Sequence, residues 1–236
     1  AVYDLNWNVI LNNWPAFVEG LFLGLKLAVF GLGIGSVIGL LLAFARTSHI
    51  APLRTFATVY VEIIRNVPLL LLLFLLYFGV PIAAINFANQ HDIPVSVARR
   101  FILDGDQSAI VALSVYAEAY LSEIFRAGIL AVGKRYLDAG QSLGLSRLGV
   151  ARYVAMPITF RTVLPSMSNT FISLFKDTSL AAAIAVPELT FTARETSTNT
   201  FRVIEAWTTA GALYVVTCFL IAGVLRYLER RIRWTV

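Results

Sequence analysis

Leu27 to Ala45 reads LAVFGLGIGSVIGLLLAFA, an uncharged run bracketed by Lys26 and Arg46 that extends an apolar stretch beginning at Leu21. About 20 apolar residues in helical form cover the roughly 30 Å of a bilayer's hydrocarbon, so this stretch predicts a membrane span. Gly31, Gly35 and Gly39 recur within it at four-residue steps and place three bare backbone patches on one helix face, ready for a close helical neighbour. A dinucleotide fingerprint is excluded by spacing, because the third glycine position after Gly33 and Gly35 is occupied by Ile38.

Four more stretches on either side of polar loops complete the pattern. With the first taken as about 21–45, the others fall at about 55–80, 107–130, 153–175 and 206–228, and Ala206 to Leu225 is wholly uncharged. The second carries Glu62 and Arg65; the third carries Glu118, Glu123 and Arg126; the fourth contains Pro157 and Pro165 and runs straight into Lys176 and Asp177. For 236 residues, 58% hydrophobic and 14% charged is a membrane composition, and five crossings use up a single domain, 1–236, without room for a further catalytic unit. The net charge of +5 does not point to nucleic acid, since the basic residues sit beside apolar spans. Cys218 is the only cysteine and lies in an apolar run, which excludes an internal disulfide. The N-terminal AVYDLNWNVILNNWP lacks a basic, small-residue cleavage pattern, so the first span is expected to direct insertion itself. The C-terminal RYLERRIRW is expected to be an interfacial anchor, with Trp234 at the headgroups.

Loop charge sets the orientation, because Lys and Arg are retained on the cytoplasmic side. Arg126, Lys134, Arg135, Arg147, Arg152 and Arg161 oppose only Asp138; the tail from Arg226 carries four arginines against Glu229; and the loop after the first span carries Arg46 and Arg54 with no acid. The alternate segments, 1–25, 81–106 and 176–205, are acidic on balance. Five spans with the N-terminus outside and the C-terminus inside satisfy every loop. No internal repeat is visible, so the symmetry of a transport path is expected from a second subunit.

Between the third and fourth spans lies KRYLDAGQSLGLSRLGVARYVAMP, residues 134–157. Asp138 to Leu145 reads as a short helix broken near Gly144, in which small residues allow close approach and leucines can fill a groove. Asp138-Ala139-Gly140, three residues, Gly144, nine residues, Val154, one residue, then Met156-Pro157 resembles the EAA loop of ABC importer permeases, Glu-Ala-Ala, three, Gly, nine, Ile, one, Leu-Pro. The departures are Asp for Glu, Gly for the second Ala, Val for Ile and Met for Leu. Glu62-Ile-Ile-Arg65-Asn-Val-Pro68, Ser122-Glu123-Ile-Phe-Arg126-Ala-Gly128, Phe175-Lys176-Asp177-Thr178-Ser179 and Val186-Pro187-Glu188-Leu189 are similar to segments of the polar amino-acid branch, the histidine, glutamine and glutamate type permeases.

That resemblance, over about residues 15–235, implies an all-α integral membrane protein. It would have the five transmembrane helices of the type I ABC importer fold and a short cytoplasmic coupling helix. The chain would be a non-catalytic subunit of a bacterial inner membrane, paired with a second copy or a sister permease. Two ATP-binding cassette subunits beneath it would hold ATP and Mg, and a periplasmic or surface solute-binding protein would sit above. Coupling to the ATPase falls to Asp138, Ala139, Gly140, Leu143, Gly144 and Leu145.

Charges at membrane depth are costly and therefore face partners or a water-filled path. Arg65, Glu118, Glu123, Lys176 and Asp177 are the candidate substrate-binding residues. Ser114, Glu118 and Ser122 form one polar stripe at four-residue steps, fit either to seal a helix interface or to meet solute, while Tyr116 and Tyr120 flank it. Thr162, Ser166, Asn169 and Ser173 lead along one face to Lys176 or Asp177, and these two neighbours could hold the carboxylate and ammonium of an amino acid, or pair with Arg65, Glu118 or Glu123. Such a set would suit an acidic, amide or basic side chain of the solute equally. His49 and His91 lie in loops on opposite sides, so no metal site is expected, and no phosphate-cradling glycine loop followed by Lys and Ser or Thr occurs. A stand-alone carrier or channel using the buried carboxylates is the alternative function. A membrane enzyme lacks any paired catalytic groups.

Overall fold

A computed structural model describes residues 4–233, and all regular structure among them is helical. The expected anchor Trp234 lies outside the described residues. The principal helices are α1 (Asn8–Thr47), α2 (Ala51–Asn66), α3 (Leu69–Gln90), α4 (Gly105–Leu130), α5 (Lys134–Ser142), α6 (Arg147–Val150), α7 (Met156–Asp177), α8 (Leu189–Thr200) and α9 (Val203–Arg233). Among the described residues α1, α3, α4 and α9 are each long and apolar enough to cross a membrane. A fifth crossing is supplied if Arg147–Ile184 and Leu189–Thr200, bent by 47°, count as one.

Two boundaries differ from the sequence expectation. At 40 residues α1 starts near Asn8 rather than 21, and its helical rise carries it about 60 Å, well beyond the hydrocarbon. The expected span 55–80 is divided: Pro68 has no N–H to donate and disfavours helix in the residue before it, so α2 ends at Asn66 and α3 begins at Leu69.

The α1–α4 seam is the centre of the structure. Gly31, Gly35 and Gly39 face α4 as the four-residue spacing predicts. A Cβ built on Gly31 would lie 2.9 Å from the Leu113 Cβ, one on Gly35 2.9 Å from the Ala117 Cβ, and one on Gly39 2.9 Å from the Glu118 carbonyl oxygen. On the opposing side α4 contributes Ala109, Ala112, Leu113, Ala117 and Leu121, all buried. Residues without side-chain bulk let the two backbones approach, and association in lipid rests on such packing because hydrocarbon tails are as apolar as leucine. At its start α4 is closed by a capping box: Asp104 Oδ1 accepts from the Gln107 N–H at 2.8 Å and Gln107 Oε1 from the Asp104 N–H at 3.3 Å.

The N-terminal part of α1 packs against a second cluster, in which Ile10 and Phe17 meet Leu189, Ala193, Ala206 and Ala210. Glu188 organises this end. Fully buried, it caps α8 by accepting from the N–H groups of Phe191 at 2.8 Å and Thr190 at 2.9 Å, and it accepts from the Tyr214 hydroxyl of α9 at 2.8 Å. Gly20 of α1 lets this cap sit against the α1 backbone, since a Cβ there would lie 2.9 Å from the Glu188 carbonyl carbon. The outward side of α9, including Val216, Phe219, Leu220 and Val224, is exposed and apolar, as suits lipid or a partner helix.

Two neighbouring glycines give a controlled test of the seam. Gly35→Ala introduces a methyl where no space exists and is expected to destabilise the detergent-solubilised protein by about 1–3 kcal/mol. Gly33→Ala meets nothing within 4 Å and is expected to leave thermal unfolding unchanged. Equal melting behaviour of the two variants would show that the seam is not close-packed.

Candidate functional site

Two regions carry the candidate residues, one beside the middle of α4 and one beyond its C-terminal end. The first is a cavity of about 280 Å³ between α4 and α7, near the lower end of the range for small-molecule clefts, lined on the polar side by Tyr116, Tyr120, Asn169, Thr170, Ser173 and Asp177. Helical spacing puts Tyr116 and Tyr120 one turn apart on α4, their hydroxyls 3.3 Å from each other, and puts Asn169, Ser173 and Asp177 on one face of α7. The Arg65 guanidinium stands 5.6 Å from the centre of the Tyr120 ring, a cation–π contact that brings it to the edge of this group.

The structure separates the five candidate substrate residues. Asp177 lines the cavity and Arg65 reaches it through Tyr120. Lys176 does not share the cavity with Asp177: successive residues of a helix point about 100° apart, and Lys176 lies in a groove with Ile172, Val215, Cys218 and Phe219. The two neighbours therefore line different spaces. Glu118 belongs to the buried Ser114–Glu118–Ser122 stripe against the α1 glycines and accepts a hydrogen bond from the Tyr60 hydroxyl of α2. It seals an interface. Glu62 is the acid near Arg65, 3.5 Å away in an exposed pair one turn apart.

Glu123 is an ion-pair centre. One carboxylate oxygen lies 2.8 Å from Arg46 of α1, the other 2.5 Å from Arg126, and Arg46 also donates to Ser122 Oγ at 3.3 Å. Arg46, whose side chain is only 6% exposed, was legible in the sequence merely as a flanking positive charge, yet it ties the end of α1 to α4. A buried arginine needs its counter-charge, since an uncompensated charge away from water costs several kcal/mol.

The second region is the loop between α4 and α7. Its helix occupies Lys134–Ser142, about a turn earlier than the expected Asp138 to Leu145, because the chain turns at Leu143-Gly144-Leu145. Gly144 adopts φ +81°, which a side chain disfavours. The Leu145 N–H donates to the Gly140 carbonyl at 3.2 Å and the Gly144 N–H to the Gln141 carbonyl at 2.9 Å, the two bonds of a Schellman stop. This is the physical reason for glycine at 144. Gly140 is buried: a Cβ there would be 3.2 Å from methyl groups of both Val150 and Val154, so α5 is pressed onto the segment leading into α7. Ser146 then caps α6 by accepting from the Gly149 N–H at 3.2 Å. The opposite face is open, with Asp138 and Ala139 exposed and Leu143 83% exposed beside an exposed Leu148. Above the loop α4 and α7 touch closely, Gly128 lying against Val163 and Thr159.

Residues 35–234 match the family described as binding-protein-dependent transport system inner membrane component. The glutamine transport system permease protein GlnP of Escherichia coli (strain K12) is 34% identical over 230 residues, 98% of this chain and 99% of GlnP. The L-cystine transport system permease protein TcyB of Bacillus subtilis (strain 168) is 35% identical over 228 residues, 96% and 91% of the two chains. A crystal structure of an amino acid ABC transporter with histidines superposes with a TM-score of 0.82 at 30% identity, covering 97% of this chain and 100% of the other.

Glu123→Gln leaves the buried Arg46 without its full counter-charge. Because Glu123 itself is about one-third exposed, the expected loss lies between surface and buried pairs, roughly 1–3 kcal/mol in detergent unfolding. An unchanged unfolding midpoint would show that the cluster is not structural.

Proposed function

The chain belongs to the binding-protein-dependent transport system inner membrane component family, as a multi-pass permease of an ABC importer, and we propose that its cargo is a polar amino acid. Curated relatives matching nearly the whole chain carry names for glutamine, cystine and glutamate/aspartate transport, which supports this cargo class. The observation that carries it is the Asp177 cavity: one carboxylate, two phenols, an amide and two hydroxyls in a bounded space, with a guanidinium at its edge. Asp177 would take the solute's ammonium by charge-assisted hydrogen bonds, and Arg65 its carboxylate. The stand-alone carrier is not the reading that the family and the similar proteins support.

Members of this family work in assemblies, and we propose for this chain two ATP-binding cassette subunits, a second permease copy and a solute-binding protein. ATP and Mg would be held by the cassette subunits, and this chain would carry no catalysis. The coupling surface would be the open face of α5, with Asp138, Ala139 and Leu143 meeting the ATPase while Gly140, Gly144 and Leu145 hold the helix in place. ATP and loaded binding protein can drive such a cycle only by preferring different states of the permease, so the loop must move with α4 and α7. The proposed orientation keeps the N-terminus outside. Supporting it, Arg46, Arg126 and the α5 loop lie at one end of the α1–α4 pair, and α9 runs parallel to α1, from Ala206 beside Phe17 to Leu225 beside Leu32, so that its basic tail points the same way.

Radiolabelled uptake by the assembled complex in proteoliposomes, with saturating binding protein and a panel of competing amino acids, tests cargo and cavity together. Asp177→Asn is expected to lower the uptake rate roughly tenfold or more, the weight of a charge-assisted hydrogen bond, while Lys176→Gln stays within about twofold of wild type. Uptake unaffected by Asp177→Asn would remove the cavity from the solute's path.

A further inference from the structure

A second polar cavity, about 450 Å³ and open at the protein surface, lies where α1, α2 and α4 meet, and it is lined by Arg46, Arg54, Thr55, Thr58, Val59 and Arg126. Three guanidiniums converge here from three helices. Glu123 is the carboxylate that answers them, paired with Arg46 and Arg126, so the cluster keeps two positive charges in excess, three minus one. Arg54 has only a long contact to the Ser48 carbonyl, 3.4 Å. The Nε of Arg46 is buried with no hydrogen-bond partner among the described residues, although the side chain is more than nine-tenths buried. A buried donor without an acceptor is costly, and so is a surplus of charge at the boundary of an apolar medium. That surplus is relieved by an oxyanion with several acceptor oxygens.

We propose that this cavity binds the phosphate of an acidic phospholipid from the leaflet facing the coupling loop. Guanidiniums match phosphate oxygens by paired N–H donors, and the hydroxyls of Thr55 and Thr58 supply further donors. A lipid is favoured over a soluble anion by what borders the cavity. The outer side of α2 presents Ile50, Leu53, Phe56, Val59 and Ile63, each more than 40% exposed, an apolar track against which acyl chains would lie while the headgroup is held by the arginines. Basic recesses between helices at the cytoplasmic surface are suited to such headgroups, where the leaflet itself is anionic. The site adjoins the Arg46–Glu123–Arg126 cluster, so a bound lipid would brace the turn between α1 and α2 against the end of α4 that leads to the loop. The proposal rests on the orientation given above for the choice of leaflet alone.

The test is lipid retention by the assembled complex, which requires neither transport nor a known sidedness, so its failure is separate from failure of the cargo or orientation readings. The complex is placed in nanodiscs of phosphatidylcholine, with or without phosphatidylglycerol, or with inorganic phosphate added to phosphatidylcholine discs. Lipid bound after release is counted by native mass spectrometry, and thermal stability is read in parallel. Wild type is expected to retain one phosphatidylglycerol per chain and to melt higher with it, while inorganic phosphate gives no such shift. Arg54→Gln is expected to reduce retention roughly fivefold, the weight of one basic residue at an anionic surface, and Thr58→Val to reduce it in the same direction. Neither variant touches the Glu123 pairs, so the fold is preserved. Equal retention in wild type and both variants would overturn the site, and stabilisation by inorganic phosphate without lipid retention would overturn the lipid assignment.

Discussion

The close approach of α1 to α4 is the constraint from which the rest of the molecule follows. Where Gly31, Gly35 and Gly39 remove side chains, the rotation of α4 about its axis is fixed, because only the face with Leu113, Ala117 and the stripe from Ser114 to Ser122 fits the bare surface. Fixing that rotation turns Tyr116 and Tyr120 toward α7 and sets Glu123 where Arg46 can reach it. One packing decision therefore places the cavity, the buried polar seam and the ion-pair cluster. It also explains how charges at membrane depth are tolerated: Glu118 and Glu123 are each met by a partner from another helix, Tyr60 in one case and Arg46 in the other.

The cavity and the coupling loop are joined by two helices rather than by a flexible path. As α4 descends from the tyrosines to Leu130 it is tied to α7 at Gly128, where Val163 and Thr159 close against it. The loop then returns to the same helix pair, since Gly140 seats α5 on Val150 and Val154 and the Gly144 stop holds the direction of the chain. A displacement of α5 cannot be absorbed in a slack connector. It moves the base of α7, and Asn169, Ser173 and Asp177 ride on α7. This is the mechanical content of the proposed coupling, and it needs no chemistry within the chain.

Much of this was legible in the residues. The four-residue glycine spacing foretold a helix–helix seam, and the Asp138-to-Pro157 spacing carried the family. The fold class followed from span length and composition, because bilayer thickness and backbone hydrogen bonding leave helices few alternatives. Side-chain destinations were harder. Sequence order makes Lys176 and Asp177 neighbours, but helical geometry sends them into different cavities, and only the tertiary structure says which one meets α4. Glu123 read as a site residue since its partner Arg46 is far away in the chain, across a turn that no local pattern connects to it. Glu188 passed only as part of a motif. Its position before α8 was a capping signal in principle, although the hydroxyl of Tyr214 and the bare Gly20 that complete its environment were not. The stop at Gly144, in contrast, was readable, because a glycine closing a short polar helix has a local cause.

In the proposed coupling, force reaches α7 because α5 is seated on Val150 and Val154, in the segment leading into it. The most direct measurement is the number of solute molecules taken up per ATP hydrolysed by the reconstituted complex, compared between wild type and Gly140→Val, whose added methyls would lift α5 from Val150 and Val154. Hydrolysis is expected to continue while uptake per ATP falls roughly tenfold, the factor given by about 1.4 kcal/mol of lost coupling. An unchanged ratio in the variant would contradict it.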